Sequence, residues 1–260
     1  MRLPVPRRPG WWAKAQLALA IALPLTSRLH ALVRSRRARP ETVRARRVAG
    51  PATPAGPAFA IWAPLFAVNV AQAALRVTRD RRADPAFRRL GWLTSAAYAL
   101  NIAWSVNAQL ASLGWRSVAL IGAGAATSIA AAAAAAGYER QARVGSDREA
   151  RLVSNAMAPL AGWLTVATFS NVEAALNSTQ GRPPQAAETR RAVALVAAAG
   201  GAAAVGSLAT RGNLLYGGAA AWGLAGVVAK NRRTRPAVAS AAALGVLAVA
   251  GMTLFARRRG

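Results

Sequence analysis

The chain has no cysteine and a single histidine, His30. The first absence excludes disulfide frameworks, thiol nucleophiles and Cys/His zinc clusters. The second argues against a Ser-His-Asp triad, because His30 sits among arginines. Acidic residues are also scarce: 8 Asp+Glu in 260 residues argue against a multi-carboxylate metal centre. No catalytic residue, metal ligand or cofactor is assigned on these grounds. Against the 8 acids stand 34 Lys+Arg, a formal net charge of +26, in a chain that is still 54% hydrophobic. A soluble basic protein usually gains such a charge by giving up apolar residues.

The charges are segregated. Uncharged stretches run over 48–75, 90–115, 117–138, 152–172, 192–210, 212–229 and 236–256. A helix needs roughly 17–25 apolar residues to cross hydrocarbon, and in hydrocarbon the backbone must pair within the segment or in a closed barrel. The stretches lack the two-residue alternation of barrel strands. The pattern predicts an all-α, polytopic transmembrane helix bundle.

An eighth candidate lies at 11–33, where Trp11 and Trp12 precede an apolar run and Lys14 is placed to snorkel. A basic start and short apolar core also fit a cleaved signal peptide. The residues after Pro24 make a poor cleavage site, so an uncleaved first span is favoured, giving about eight spans.

The connections are basic, with arginine clusters at 34–47, 76–89, 140–151 and 257–259. Nucleic-acid binders gather charge on one face with interleaved aromatics. Here arginines punctuate apolar spans, so no nucleic-acid partner is expected, and anionic lipid headgroups account for the charge. With eight spans the basic residues divide nearly evenly between the two faces. Without the first span, the bias places the amino terminus in the cytoplasm, the orientation expected for a multi-pass protein of the cell membrane. The Ala/Gly-rich late segments suit close helix packing, including contact with a second copy of the chain.

Trp11, Trp12, Trp92 and Trp115 fall near span ends, at the level of a membrane-interface belt. Trp62, Trp104, Trp163 and Trp222 fall inside uncharged stretches. Three stripes at helical spacing accompany the first three of these: Phe59, Trp62, Phe66 and Asn69; Asn101, Trp104 and Ser105, with Gln109 beyond; and Pro159, Trp163, Ala167 and Asn171. Interhelical hydrogen bonding and space filling explain any one position. Repetition of tryptophan with an amide in three spans favours a shared apolar pocket with a few polar groups. Glu173 is the carboxylate nearest membrane depth; at the end of its stretch, it is expected to reach water or pair with Arg182.

At these residues the chain resembles the TspO/MBR family of translocator or tryptophan-rich sensory membrane proteins. The run from Leu100 to Ser105 is similar to the family's L-N-x-x-W-S pattern. Pro159, Trp163, Ala167 and Asn171 match P-x-x-x-W-x-x-x-A-x-x-x-N, and Phe59, Ile61, Trp62 and Phe66 look like its F-x-I-W…Y element. The resemblance covers 11–177 as a five-helix unit, between a basic tail at 1–10 and an extension at 191–256 of up to three further helices; the basic loop 34–56 lies within the unit. It implies a pocket for a hydrophobic planar ligand, porphyrin-like, contacted by Trp62, Asn101, Trp104, Trp163, Ala167 and Asn171; Phe66 and Asn69 join them from the second-span stripe. Some relatives promote light-dependent porphyrin breakdown, and Trp62 and Trp163 occupy positions similar to their pocket tryptophans; an enzymatic role for this chain rests on that analogy alone and is not assigned. Leu160 and Phe66 stand where tyrosine is usual, and the tyrosine–arginine element linked to sterol is absent. A permease using Glu173, and a non-enzymatic assembly protein, are the competing functions.

Overall fold

The computed structural model describes residues 11–34, 48–77, 85–110, 113–140 and 147–259. The expected basic tail 1–10 lies outside them, as do 35–47, 78–84, 141–146 and the side chain of Trp12. Among the described residues there are eight α-helices and no strand. They are α1 (Trp11–Arg34), α2 (Trp62–Val77), α3 (Pro85–Leu110), α4 (Trp115–Arg140), α5 (Asp147–Gln180), α6 (Gln185–Ala209), α7 (Leu214–Asn231) and α8 (Pro236–Arg259). A 3₁₀ turn, Gly56–Ile61, leads into α2.

Five segments are long and apolar enough to cross a membrane: Gly56–Val77, Trp115–Glu139, Glu149–Gln180, Gln185–Ala209 and Pro236–Arg259. The other three helices, α1, α3 and α7, pack in the same bundle, and α1 carries a shorter apolar core, Ala13–Thr26. The chain is an all-α protein with the span content of an integral membrane protein.

The helix at the centre is α5, which touches α2, α3, α4, α6 and α7. Its sequence explains why. From Leu160 to Val166 every residue is buried, so this stretch is enclosed on all sides of the helix, and a stretch enclosed all round belongs in a core. Around it α1–α4 close one cluster, while α6, α7 and α8 close a second with Val166 of α5. Small residues make the second cluster tight. A Cβ added at Gly200 in α6 would stand 2.8 Å from the Cα of Gly245 in α8, so these helices touch backbone to backbone. Of the three helices beyond the five-helix unit, α6 and α7 dock on α5, and α8 packs on α6 and α7.

Two boundaries differ from the charge pattern. The stretch from residue 48 opens without a spanning helix: Pro51, Pro54 and Pro57 interrupt helix formation, and α2 begins only at Trp62. Arg76 was expected in a connection. It is instead the buried last turn of α2, where its Nη1 lies 2.6 Å from Glu149 Oε1 of α5. The pair lets both charges leave water together, which neither does alone.

The candidate site: an aromatic cluster locked by an amide

Residues three and four apart on a helix share a face, and in α2 that face turns to α3 and α5. The Trp62 ring lies nearly parallel to Phe66 (5.2 Å between centroids, 24°) and to Trp104 of α3 (6.2 Å, 21°). It meets Trp163 of α5 edge-on (6.0 Å, 82°), and Phe59 meets the same Trp163 ring edge-on at 5.4 Å. These separations and angles are those that the ring quadrupoles favour. Phe59, Trp62, Phe66, Trp104 and Trp163 thus form one continuous aromatic group spanning three helices. Trp163 is its buried floor, whereas Trp62 and Trp104 are part-exposed.

One amide fixes the orientation. Asn171 Oδ1 accepts from the Trp104 indole N–H at 3.2 Å and from the Ser117 hydroxyl of α4 at 2.7 Å. Its Nδ2 donates to the Ala167 carbonyl one turn back (2.9 Å). Asn171 therefore ties α3 and α4 to α5 and holds the Trp104 ring against Trp62. Ala167 packs partly buried beside the cluster and contributes its carbonyl. Ser117 had no signal in the sequence beyond its place at the start of an apolar run.

Asn101 is buried on α3 one turn from Trp104, and among the described residues its Nδ2 has no hydrogen-bond partner; neither has the Trp163 indole N–H. Both are donors in an apolar surround, where an unmade bond costs about 1–3 kcal/mol.

Asn69 is drawn elsewhere. Its Nδ2 donates to the Leu65 carbonyl (2.7 Å), and its backbone carbonyl accepts from the Tyr98 hydroxyl. Tyr98 also donates to Gln72, which accepts from Gln16, and Gln16 donates to Thr94 at 2.8 Å. This buried polar chain joins α1, α2 and α3 and was missed in the sequence, although isolated glutamines in apolar runs were its visible sign. Ser105 and Gln109 serve a similar end. Gln109 donates to Ser105 and to the Thr26 carbonyl of α1, so they bind helices and stand apart from the rings.

Glu173 corrects an expectation. It is fully buried, and it reaches neither water nor Arg182. Its Oε2 accepts from the Ala52 backbone N–H at 2.8 Å, and a Cβ at Gly50 would collide with the carboxylate. The irregular backbone before α2 is pinned by side chains of α5, α7 and the turn after α5. Ser170 donates to the Ala52 carbonyl, Asn177 to Val48, Arg182 to Ala49, Asn231 to Pro51, and Lys230 to Gly50 and Thr53. Non-helical backbone survives at membrane depth only when its polar groups are met by protein in this way. Lys230 and Asn231 belong to α7, so the added helices help to hold the segment that leads into the aromatic site.

Trp11, Trp92 and Trp115 are exposed near helix ends, as an interfacial belt requires. Trp222, expected deep in its stretch, is half exposed on the bundle's outer face, with its indole N–H donated to the Ala58 carbonyl at 2.8 Å.

A helix bundle with several membrane-spanning segments, whose second, third and fifth helices converge on stacked tryptophans, defines a class: multi-pass membrane proteins with an internal aromatic cluster. The model for the TSPO-like protein family matches residues 16–255, and the chain belongs to that family. The match takes in α6, α7 and α8 along with the five-helix unit. No curated protein and no solved structure matches the chain.

Proposed function

We propose that this sensory or translocator-like membrane protein binds a planar apolar ligand of the porphyrin type against Trp62, Trp104 and Trp163. The observation that carries the reading is the near-parallel packing of Trp62 on Trp104, held by Asn171, beside buried donors without acceptors. A flat macrocycle suits stacked indoles, and its carboxylates or ring nitrogens suit the N–H groups of Asn101 and Trp163. The rest of the ligand set is Phe66, Asn69, Ala167 and Asn171, of which Asn171 and Asn69 act by holding neighbours in place. The reading places the protein in the cell membrane with a cytoplasmic amino terminus and with anionic lipids around its basic loops.

The test is porphyrin titration of purified protein, followed by tryptophan quenching. Replacing both Trp62 and Trp104 by phenylalanine removes the larger stacking surface and weakens binding about tenfold, on the scale of one aromatic contact of ~1.4 kcal/mol. Unchanged affinity contradicts the reading.

Transport is the second reading, and the burial of Glu173 is what favours it. Uptake into liposomes that disappears in Glu173→Gln, with porphyrin affinity intact, would support it over ligand sensing.

A further inference from the structure

A groove of about 570 Å³ runs along the outer face of the bundle between α2, α5 and α7. Ile61, Pro64, Val68, Pro159, Gly218 and Trp222 form its walls, and Asn155 and Leu214 stand at one end. From Leu214 to Trp222 it follows about 12 Å of α7 at a rise of ~1.5 Å per residue. Both α2 and α5 lie in segments apolar and long enough to cross a membrane, and the groove is on their exposed side.

Two polar groups stand at its end. Asn155 is exposed, and its side chain has no hydrogen-bond partner among the described residues. Pro159 has no N–H to give the carbonyl of Asn155, four residues earlier, so that acceptor lacks its helical bond. An amide facing lipid without a partner is costly and points to a ligand or a function. The turn between α6 and α7 is anchored at the same place, because Asn213 donates to Ser154 at 2.9 Å. The exposed Arg211 belongs to the same turn, three residues before Leu214 at the end of the groove.

We propose that this groove binds an anionic phospholipid. One acyl chain lies along the apolar walls between Trp222 and Leu214. The Asn155 amide donates to an ester or phosphate oxygen, and the Arg211 guanidinium meets the charged headgroup. The apolar length fits a chain, the amide fits an ester, and the cation selects the anionic class. The site lies outside the aromatic cluster and is independent of the ligand proposed there.

Gly218 supplies the test, since a Cβ there meets nothing within 4 Å and a larger side chain enters open groove. Native mass spectrometry of delipidated protein is read after adding phosphatidylglycerol, phosphatidylcholine or a free fatty acid. The expected result is one retained phosphatidylglycerol, bound at least fivefold more tightly than either alternative. Gly218→Phe lowers retention at least tenfold with an unchanged thermal midpoint, and Arg211→Gln removes the preference for the anionic lipid. Retention equal to wild type in Gly218→Phe, equal binding of all three lipids, or no retained lipid in the wild type overturns the proposal. If Gly218→Phe misfolds, Asn155→Leu replaces it and must itself lower phosphatidylglycerol retention.

Discussion

Asn171→Ala is the most informative single change in the aromatic site. The substitution removes the acceptor of two hydrogen bonds, to the Trp104 indole at 3.2 Å and to the Ser117 hydroxyl at 2.7 Å. Ser117 is fully buried and gains no water in exchange. Side-chain hydrogen bonds between membrane helices average about 0.6 kcal/mol and reach about 1.7, while a typical bond in a folded protein nets about 0.5–1.5. Two bonds together amount to about 1–3 kcal/mol, one to two decades in the unfolding equilibrium. The assay is reversible unfolding in mixed micelles, run as a double-mutant cycle with Trp104→Phe, which removes the indole N–H and keeps a ring. The cycle should return a coupling of about 0.6–1.5 kcal/mol, because each single change breaks the same bond. Additive effects, within about 0.3 kcal/mol, would mean that Asn171 does not hold the Trp104 ring, and the reasoning about its orientation would fail.

Two further changes probe the scaffold. Glu149→Leu leaves the buried Arg76 guanidinium without its 2.6 Å partner and should destabilise by about 3–5 kcal/mol, while adding Arg76→Met recovers most of the loss; denaturation midpoints check both. Gly200→Leu places a side chain where Gly245 Cα already lies 2.8 Å from a Cβ, and the overpacking should cost about 1–3 kcal/mol in thermal unfolding and part α6 from α8.

Much of the architecture was legible because hydrocarbon leaves few choices: uncharged stretches of spanning length must be helices, and each of the seven carries one. The aromatic cluster was legible for the same periodic reason, since Trp62 with Phe66, and Trp163 with Asn171, recur at the spacing that aligns side chains on one helix face. Charge patterning misled where a charge was neutralised by a distant partner. Arg76 looked like a loop residue until Glu149, 73 positions away, was brought to it. Glu173 looked like a boundary residue until the Ala52 N–H supplied a buried donor. Counting apolar residues also concealed three prolines, which turn the start of the 48–75 stretch into irregular backbone that α5 and α7 must hydrogen-bond. Trp222 lay as deep in its own segment as Trp163 did. Which face of α7 meets lipid depends on how the added helices dock, and that is settled by contacts between distant segments.

The most direct measurement uses a protein in which Trp11, Trp12, Trp92, Trp115 and Trp222 are phenylalanine, leaving Trp62, Trp104 and Trp163 as the emitters. Reconstituted in bilayers, its fluorescence should resist quenching by lipids brominated along the acyl chain and fall on addition of a porphyrin. Strong quenching by the brominated chains, with no response to porphyrin, would show that these rings face lipid and that they form no shared interior site.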